Sequence, residues 1–214
     1  LKEDVLKEDL QRVKAFYNKN GFIDVTVDYE VKPDVLKPYL LHIYIRIKEG
    51  NKYLVGNVLV QGNKDITEKE ILMSLKNCIP GNVFSEEAMK SDVAGIQGLY
   101  FNKGYISAQV QDTTSLNSAT SRVDITYKIT ENQITYVDKI KIRGNIKTKD
   151  LIIRRELRIH PGDKFDGEKL RRSKERLQNL GFFEDVSYDT EDTKTPDQKD
   201  LVVEVKETKT GSFS

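Results

Sequence analysis

The side chains able to do covalent or acid–base chemistry in this chain are few, and they do not converge. His42 and His160 lie far apart, with no His-Glu-x-x-His helix, metal-spaced cysteine set or phosphate loop around them. His42 falls on the polar side of an alternating segment, which predicts a plain surface position for it. Cys78, the one cysteine, stands near the end of a helical pattern and reads as a small buried hydrophobe, and no disulfide can form within the chain. No catalytic residue, metal ligand or cofactor is expected. The charged run Arg154-Arg155-Glu156 is left as the candidate partner surface, set against the plainer reading of a solvated helix face with i to i+3 pairing. Adjacent arginines on a helix point about 100° apart, so at most one of the two can sit at the centre of a contact.

Those arginines belong to the stretch around which the chain is organised. Ile140 and Ile142 alternate with Lys141 and Arg143 as a strand running into a Gly144-Asn145 turn. A helix is predicted next, with Thr148 as its N-cap, Asp150 in its first turn, an apolar stripe of Leu151, Ile152 and Leu157, and Pro161-Gly162 as its stop. The same grammar stands 82 residues earlier, with Gly62-Asn63, Thr67 as a cap, Ile71, Leu72 and Leu75 as a stripe, and Pro80-Gly81. Gly62, Asn63, Gly144 and Asn145 read as structural turns, glycine for positive φ and asparagine for local side-chain bonds.

The repeat divides the 214 residues into small domains. The complete middle unit, 51–132, reads strand, helix, helix, strand, strand, and 133–208 repeats that order. Residues 1–50 match only the second helix and last two strands, because Phe16-Tyr17 through Gly21 aligns with Leu99-Tyr100 through Gly104. The expected fold class is α+β, tandem repeats each with a three-stranded mixed sheet packed on two helices. Gly21, Gly104 and Gly181 read as helix C-caps. The polar stretches 112–121 and 191–200 read as loops, and a bulge or a late strand start is expected after Phe183, since Val186 and Tyr188 form the next apolar pair. Fifteen residues separate Ile47 from Gly62 and Ile129 from Gly144, which leaves no room for a flexible linker.

Lys plus Arg number 35 against 34 for Asp plus Glu, a net charge of +1, which removes any bulk attraction to nucleic acid. Gly95-Ile-Gln-Gly98 spells the Gly-x-x-Gly loop of KH nucleic-acid-binding modules, but that loop must lie between two helices and here falls within one. No nucleic-acid partner is expected. No apolar run approaches about 18 residues, so no membrane-spanning helix is expected either.

Ile140-Lys-Ile-Arg-Gly-Asn with Ile153-Arg-Arg-Glu-Leu, then Pro161-Gly-Asp-Lys-Phe, Arg176-Leu-Gln-Asn-Leu-Gly-Phe-Phe-Glu-Asp-Val, Val203-Glu-Val-Lys-Glu and Thr210-Gly-Ser-Phe, closely resembles the last POTRA domain of the BamA family of outer-membrane assembly factors. The middle unit keeps the turn but has Met73-Ser74-Leu75 in place of the Arg-Arg-Glu. The resemblance implies the three POTRA units nearest a membrane β-barrel, the first cut short, with 209–214 starting the connection to a barrel absent from this chain. It implies a non-enzymatic, cofactor-free protein-binding array on the periplasmic side of the outer membrane of a Gram-negative bacterium. Its implied partners are nascent outer-membrane β-barrel proteins, accessory lipoproteins and its own C-terminal β-barrel. The alternatives are the POTRA region of a related translocation or two-partner secretion transporter and, further off, a KH-like module. The resemblance also implies that the strand after each second helix is an open edge, at 22–29, 105–111 and 186–188. Asp24, Thr26, Asp28, Ser107, Gln109 and Ser187 are then the candidate edge residues.

Overall fold

The computed structural model describes residues 2–208. The calls on residues 209–214, including the Thr210-Gly-Ser-Phe run, lie outside the described residues. Three sheets and five helices succeed one another along the chain: α1 (Glu3–Lys19), β1 (Thr26–Pro33) and β2 (Leu41–Lys48); then β3 (Leu54–Gln61), α2 (Glu68–Ser74), α3 (Glu86–Asn102), β4 (Gln109–Asn117) and β5 (Arg122–Thr130). The last set is β6 (Tyr136–Arg143), α4 (Asp150–Glu156), α5 (Gly167–Asn179), β7 (Phe183–Asp192) and β8 (Gln198–Glu207). The fold is α+β in tandem repeats, as the sequence pattern requires.

In each complete repeat the last strand takes the centre of the sheet, in the orders β3-β5-β4 and β6-β8-β7. The first strand runs parallel to it, so the chain must cross over, and a seven-residue helix followed by a longer one carries it to the outer strand that turns back into the centre. Both parallel pairs break register at the same place, between Val55 and Val58 and between Val137 and Ile140. An aspartate on the central strand serves each bulge. Asp124 accepts from the Asn57 N–H at 2.6 Å, and Asp200 from the Lys139 N–H at 3.1 Å. Gly56 sits against the first of these carboxylates, where an added Cβ would come 2.1 Å from Asp124 Oδ1.

Two compact units divide the chain, residues 1–96 with 110–129 and residues 97–109 with 130–214, a cut by packing where the repeats are a cut by pattern. In the first unit the middle core gathers Tyr53, Val55, Ile66, Ile71 and Cys78 with Ile96, Ile125 and Tyr127, each at most 1% exposed. In the second, Ile153, Ile159, Phe165 and Leu177 are fully buried beneath β6 and β8, and Phe101 from the end of α3 packs against them. Gly167 is where Phe101 passes, since a Cβ there would meet its ring at 2.6 Å.

The β1–β2 pair is antiparallel, as its alternation predicts. Its apolar face differs from its counterparts. Leu41, Ile43, Ile45 and Ile47 are 38–47% exposed, while the register-equivalent Val123, Ile125, Tyr127 and Ile129 are 0–3% exposed. Among the described residues, no first strand or first helix lies over the earlier set.

Several local expectations are corrected. Thr67 caps α2, accepting from the Glu70 N–H, but α4 is capped by Lys149 with no side-chain bond. Thr148 instead donates its N–H to Glu207 at 2.7 Å. Ile153, not Ile152 or Leu151, faces the core; Leu151 is 76% exposed. Pro80-Gly81 and Pro161-Gly162 do not end the helices, which stop at Ser74 and Glu156. The polar stretches 112–121 and 191–200 are half or more strand, because backbone pairing continues past the last core residue as a hairpin. The bulge after Phe183 is present, with the register shifting between Phe183 and Asp185.

Leu177→Ala is expected to destabilise the second unit by about 2–5 kcal/mol, measured by guanidinium denaturation, because the Leu177 side chain is fully buried. Gly144→Ala should cost about 1–3 kcal/mol in the same measurement, because φ is +84° and the new Cβ would meet the Val205 carbonyl oxygen.

Candidate functional site

No cluster of three or more His, Cys, Asp or Glu side chains able to hold a metal ion occurs among the described residues. His42 is exposed, with Nε2 2.8 Å from Asp34 Oδ2, and His160 is exposed beside Asp163. Cys78 is buried, and burial pushes its thiol up to about 11. Gly95 and Gly98 are inside α3, and a Cβ at either would meet nothing within 4 Å. They form no loop and serve no close packing. No helix among the described residues is long and apolar enough to cross a membrane.

What each complete repeat offers is an asymmetric pair of sheet edges. The start of β3 is bridged antiparallel to Val83, with the Val55 N–H donating to Asn82 O at 2.8 Å and the Gly81 N–H to Val55 O at 2.9 Å. The start of β6 is closed in the same way, the Val137 N–H donating to Asp163 O and the Gly162 N–H to Val137 O. This is the work of the two Pro-Gly turns. Among the described residues no strand pairs with the outer side of β4 or β7.

The candidate edge residues are placed unevenly. Thr26 and Asp28 lie on β1, Gln109 opens β4, and Ser187 lies on β7 opposite Glu204. Asp24 and Ser107 are in turns before their strands. Asp24 accepts from the Tyr53 hydroxyl at 2.7 Å, and the Ser107 carbonyl accepts from the Asn132 side chain at 2.7 Å. Both strands begin later than alternation indicates, since these tertiary bonds hold the preceding residues out of the ladder.

The Arg154-Arg155-Glu156 run also separates. Arg154 is turned back, donating to Asp150 at 2.9 Å and to the Ile140 carbonyl at 3.0 Å. The Glu156 side chain is 12% exposed and accepts twice from Arg176 on α5, at 2.6 and 2.9 Å. The Arg176 guanidinium holds the Glu156 carboxyl below its ordinary range, assisted by Arg155 and opposed by burial. Arg155 alone keeps a largely exposed side chain, at 72%. Sequence reasoning missed Arg176, whose role depends on two helices meeting. It also missed the cluster in which Lys141 lies 2.7 Å from both Glu191 and Asp200 while Arg143 lies 2.6 Å from Glu191.

The four turn residues stand where their types require. Gly62 and Gly144 have φ of +82° and +84°. Asn63 Nδ2 donates to Ile66 O at 2.8 Å and Asn145 Nδ2 to Thr148 O at 3.0 Å, two copies of one turn.

Fold and surface together define a tandem array of strand-helix-helix-strand-strand modules, each with one sheet edge bridged at its start by a Pro-Gly turn and the other without a strand partner among the described residues. The family described as POTRA, surface antigen variable number repeat, matches residues 53–132 and 135–208. The chain belongs to the POTRA family, and its repeats are POTRA domains of the BamA kind. It is 32% identical over 215 residues to the outer membrane protein assembly factor BamA of Neisseria meningitidis serogroup B, covering 99% of this chain and 27% of that protein. The corresponding protein of Nitratidesulfovibrio vulgaris is 30% identical over 221 residues, covering 100% and 27%. The chain thus spans about a quarter of the length of these curated relatives. The crystal structure of Haemophilus influenzae BamA POTRA3-5 superposes with a TM-score of 0.73 at 24% identity, covering 94% of this chain and 80% of that one. BamA of Haemophilus ducreyi lacking POTRA domains 1-3 gives 0.62 at 26% identity, covering 73% and 30%.

A carboxylate with a lowered folded pKa stabilises the fold above its unfolded pKa and loses that contribution as pH falls through the folded one. Glu156→Gln should therefore destabilise the second unit near pH 7, and the gap from the unsubstituted chain should narrow once pH falls below the ordinary glutamate range and close as it passes through the lower folded pKa. Urea melts at a series of pH values measure it; a gap independent of pH would show that the charge on Glu156 is immaterial.

Proposed function

We propose that this chain is part of an outer-membrane protein assembly factor, a non-enzymatic array on the periplasmic side of the outer membrane of a Gram-negative bacterium. Its pattern divides as a partial unit at 1–50, complete units at 51–132 and 133–208, and a connection to a C-terminal membrane β-barrel from 209. Nascent outer-membrane β-barrel proteins are captured by β-augmentation, an extended segment adding itself to a sheet edge through main-chain hydrogen bonds. The observation that carries this reading is the outer side of β4 and β7, which has no strand partner among the described residues, opposite edges whose opening residues are bridged by the Pro-Gly turns.

Recognition through the backbone suits clients of unrelated sequence. Gln109, Gln111, Thr113 and Ser115 are the exposed polar side chains along β4, with Leu116 an exposed apolar one near its end, so most of the strand neither demands nor refuses a particular neighbour. Accessory lipoproteins dock on the α4 side of the third repeat, where Arg155 is the outward charge.

Prolines placed singly along Gln109–Asn117 should weaken capture of an unfolded outer-membrane protein by about fivefold at alternate positions, those whose lost N–H faces outward. Alanines at Gln109 and Gln111 should leave capture unchanged. Site-specific crosslinking to the client, with circular dichroism as the folding control, reads both. Normal capture by every folded proline variant, together with its loss in the Arg154→Ala, Arg155→Ala double variant, would replace the edge with a charged surface.

A further inference from the structure

The turn of the β1–β2 hairpin is unlike its two counterparts. Pro33 pairs with Leu41, so residues 34–40 form the turn, Asp-Val-Leu-Lys-Pro-Tyr-Leu. The β4–β5 turn reads Ser118-Ala-Thr-Ser and the β7–β8 turn Thr193-Lys-Thr-Pro-Asp, neither with a valine, leucine or aromatic residue. In the first hairpin Val35 is 94% exposed, Leu36 89% and Tyr39 78%. This exposure does not depend on whether a first strand and first helix lie over β2. Both complete repeats have those elements in place, and residues 118–120 and 194–196 are exposed in them all the same.

The backbone of the turn is closed upon itself. The Asp34 N–H donates to Leu40 O at 2.9 Å and the Leu40 N–H to Lys37 O at 2.8 Å. Asp34 Oδ1 accepts from the Leu36 and Lys37 N–H groups at 2.9 and 2.8 Å, and Pro33 and Pro38 have no N–H to offer. Water would satisfy those amides at no cost to the fold, whereas an apolar medium would not. Charge is balanced and set back from the tip. Lys32 lies 3.0 Å from Glu30, and His42 Nε2 lies 2.8 Å from Asp34 Oδ2. Val35 and Leu36, touched by almost nothing in the chain, form a protrusion with no socket around it. A fluid surface accepts such a tip without being shaped for it.

We propose that this turn inserts shallowly into a phospholipid surface, with Val35 and Leu36 entering the hydrocarbon boundary and Tyr39 and Lys37 lying among the headgroups. Tyrosine suits that level because its ring is apolar and its hydroxyl stays wet, and a lysine stem reaches from apolar surface to water. Apolar transfer drives the contact and charge does not, since Glu30 and Asp34 are offset by Lys32 and Lys37 across residues 30–44. Two inserted side chains bind weakly, on the order of a single acyl anchor or less. The contact is separate from the β4 and β7 edges and goes beyond client capture there.

Fluorescence on the 214-residue chain tests this. The chain has no tryptophan, so Leu36→Trp places one reporter at the tip and Ala119→Trp one at the β4–β5 turn. With vesicles of phosphatidylethanolamine and phosphatidylglycerol, emission of the Leu36→Trp variant should shift to the blue and be quenched by brominated acyl chains, while the Ala119→Trp variant stays unchanged. Adding Val35→Asp to the Leu36→Trp variant should weaken partition at least about tenfold. Salt raised to about 0.5 M should change it less than about twofold. Emission of the Leu36→Trp variant indifferent to vesicles overturns the proposal, and so does a blue shift that brominated chains do not quench, which would be adsorption without insertion. An equal response of the Ala119→Trp variant would assign the effect to the reporter and overturns it too. A blue shift that grows with protein concentration in the absence of lipid would make the tip a contact between copies of the chain, and that also overturns it.

Discussion

Each complete repeat depends on placing its last-made strand at the centre of a three-stranded sheet. β5 and β8 each carry two fully buried side chains, Ile125 with Tyr127 and Leu201 with Val203, because the central strand is flanked on both sides and covered by the helix pair. A parallel partner, β3 or β6, then has to arrive by a crossover, and two short helices give the shortest one that also covers a sheet face. The twin bulges capped by Asp124 and Asp200 show how closely the two copies keep to one solution.

A sheet of three strands cannot bury both of its edges. One is closed by the Pro-Gly turn, which hydrogen-bonds to the opening residues of β3 or β6. That leaves β4 and β7, which have no partner on their outer sides among the described residues and carry mostly polar side chains. The charged side chains are paired elsewhere, between the two helices and across one sheet. Glu156 is held between Arg176 and Arg155, and the Lys141, Arg143, Glu191 and Asp200 cluster ties β6 to its sheet partners. The POTRA family to which the chain belongs thus appears here as a backbone-level device, one fold copied with its side-chain chemistry free to vary.

The repeat order, the α+β class, the Gly-Asn turns and most core positions were legible in the sequence, because each follows from local periodicity or from the conformational needs of one residue. Gly62 and Gly144 could be read without partners, since positive φ is a property of the residue itself. Arg154, Arg155 and Glu156 could not. As neighbours on one helix they look alike, yet one bonds back to a strand carbonyl, one faces solvent and one is buried by a second helix 20 residues away.

Sequence alone therefore determined which segments become strands and helices and in what order, since a side chain's preference for one face acts over a few residues. Tertiary structure decided where those elements stop and which surfaces stay open. Asp24 and Ser107 leave the ladder because Tyr53 and Asn132 hold them, and the hairpins of β4–β5 and β7–β8 run on because strand pairing needs no apolar residue to continue. The edge of a sheet is a property of what is not beside it, and no pattern within a strand records its neighbours.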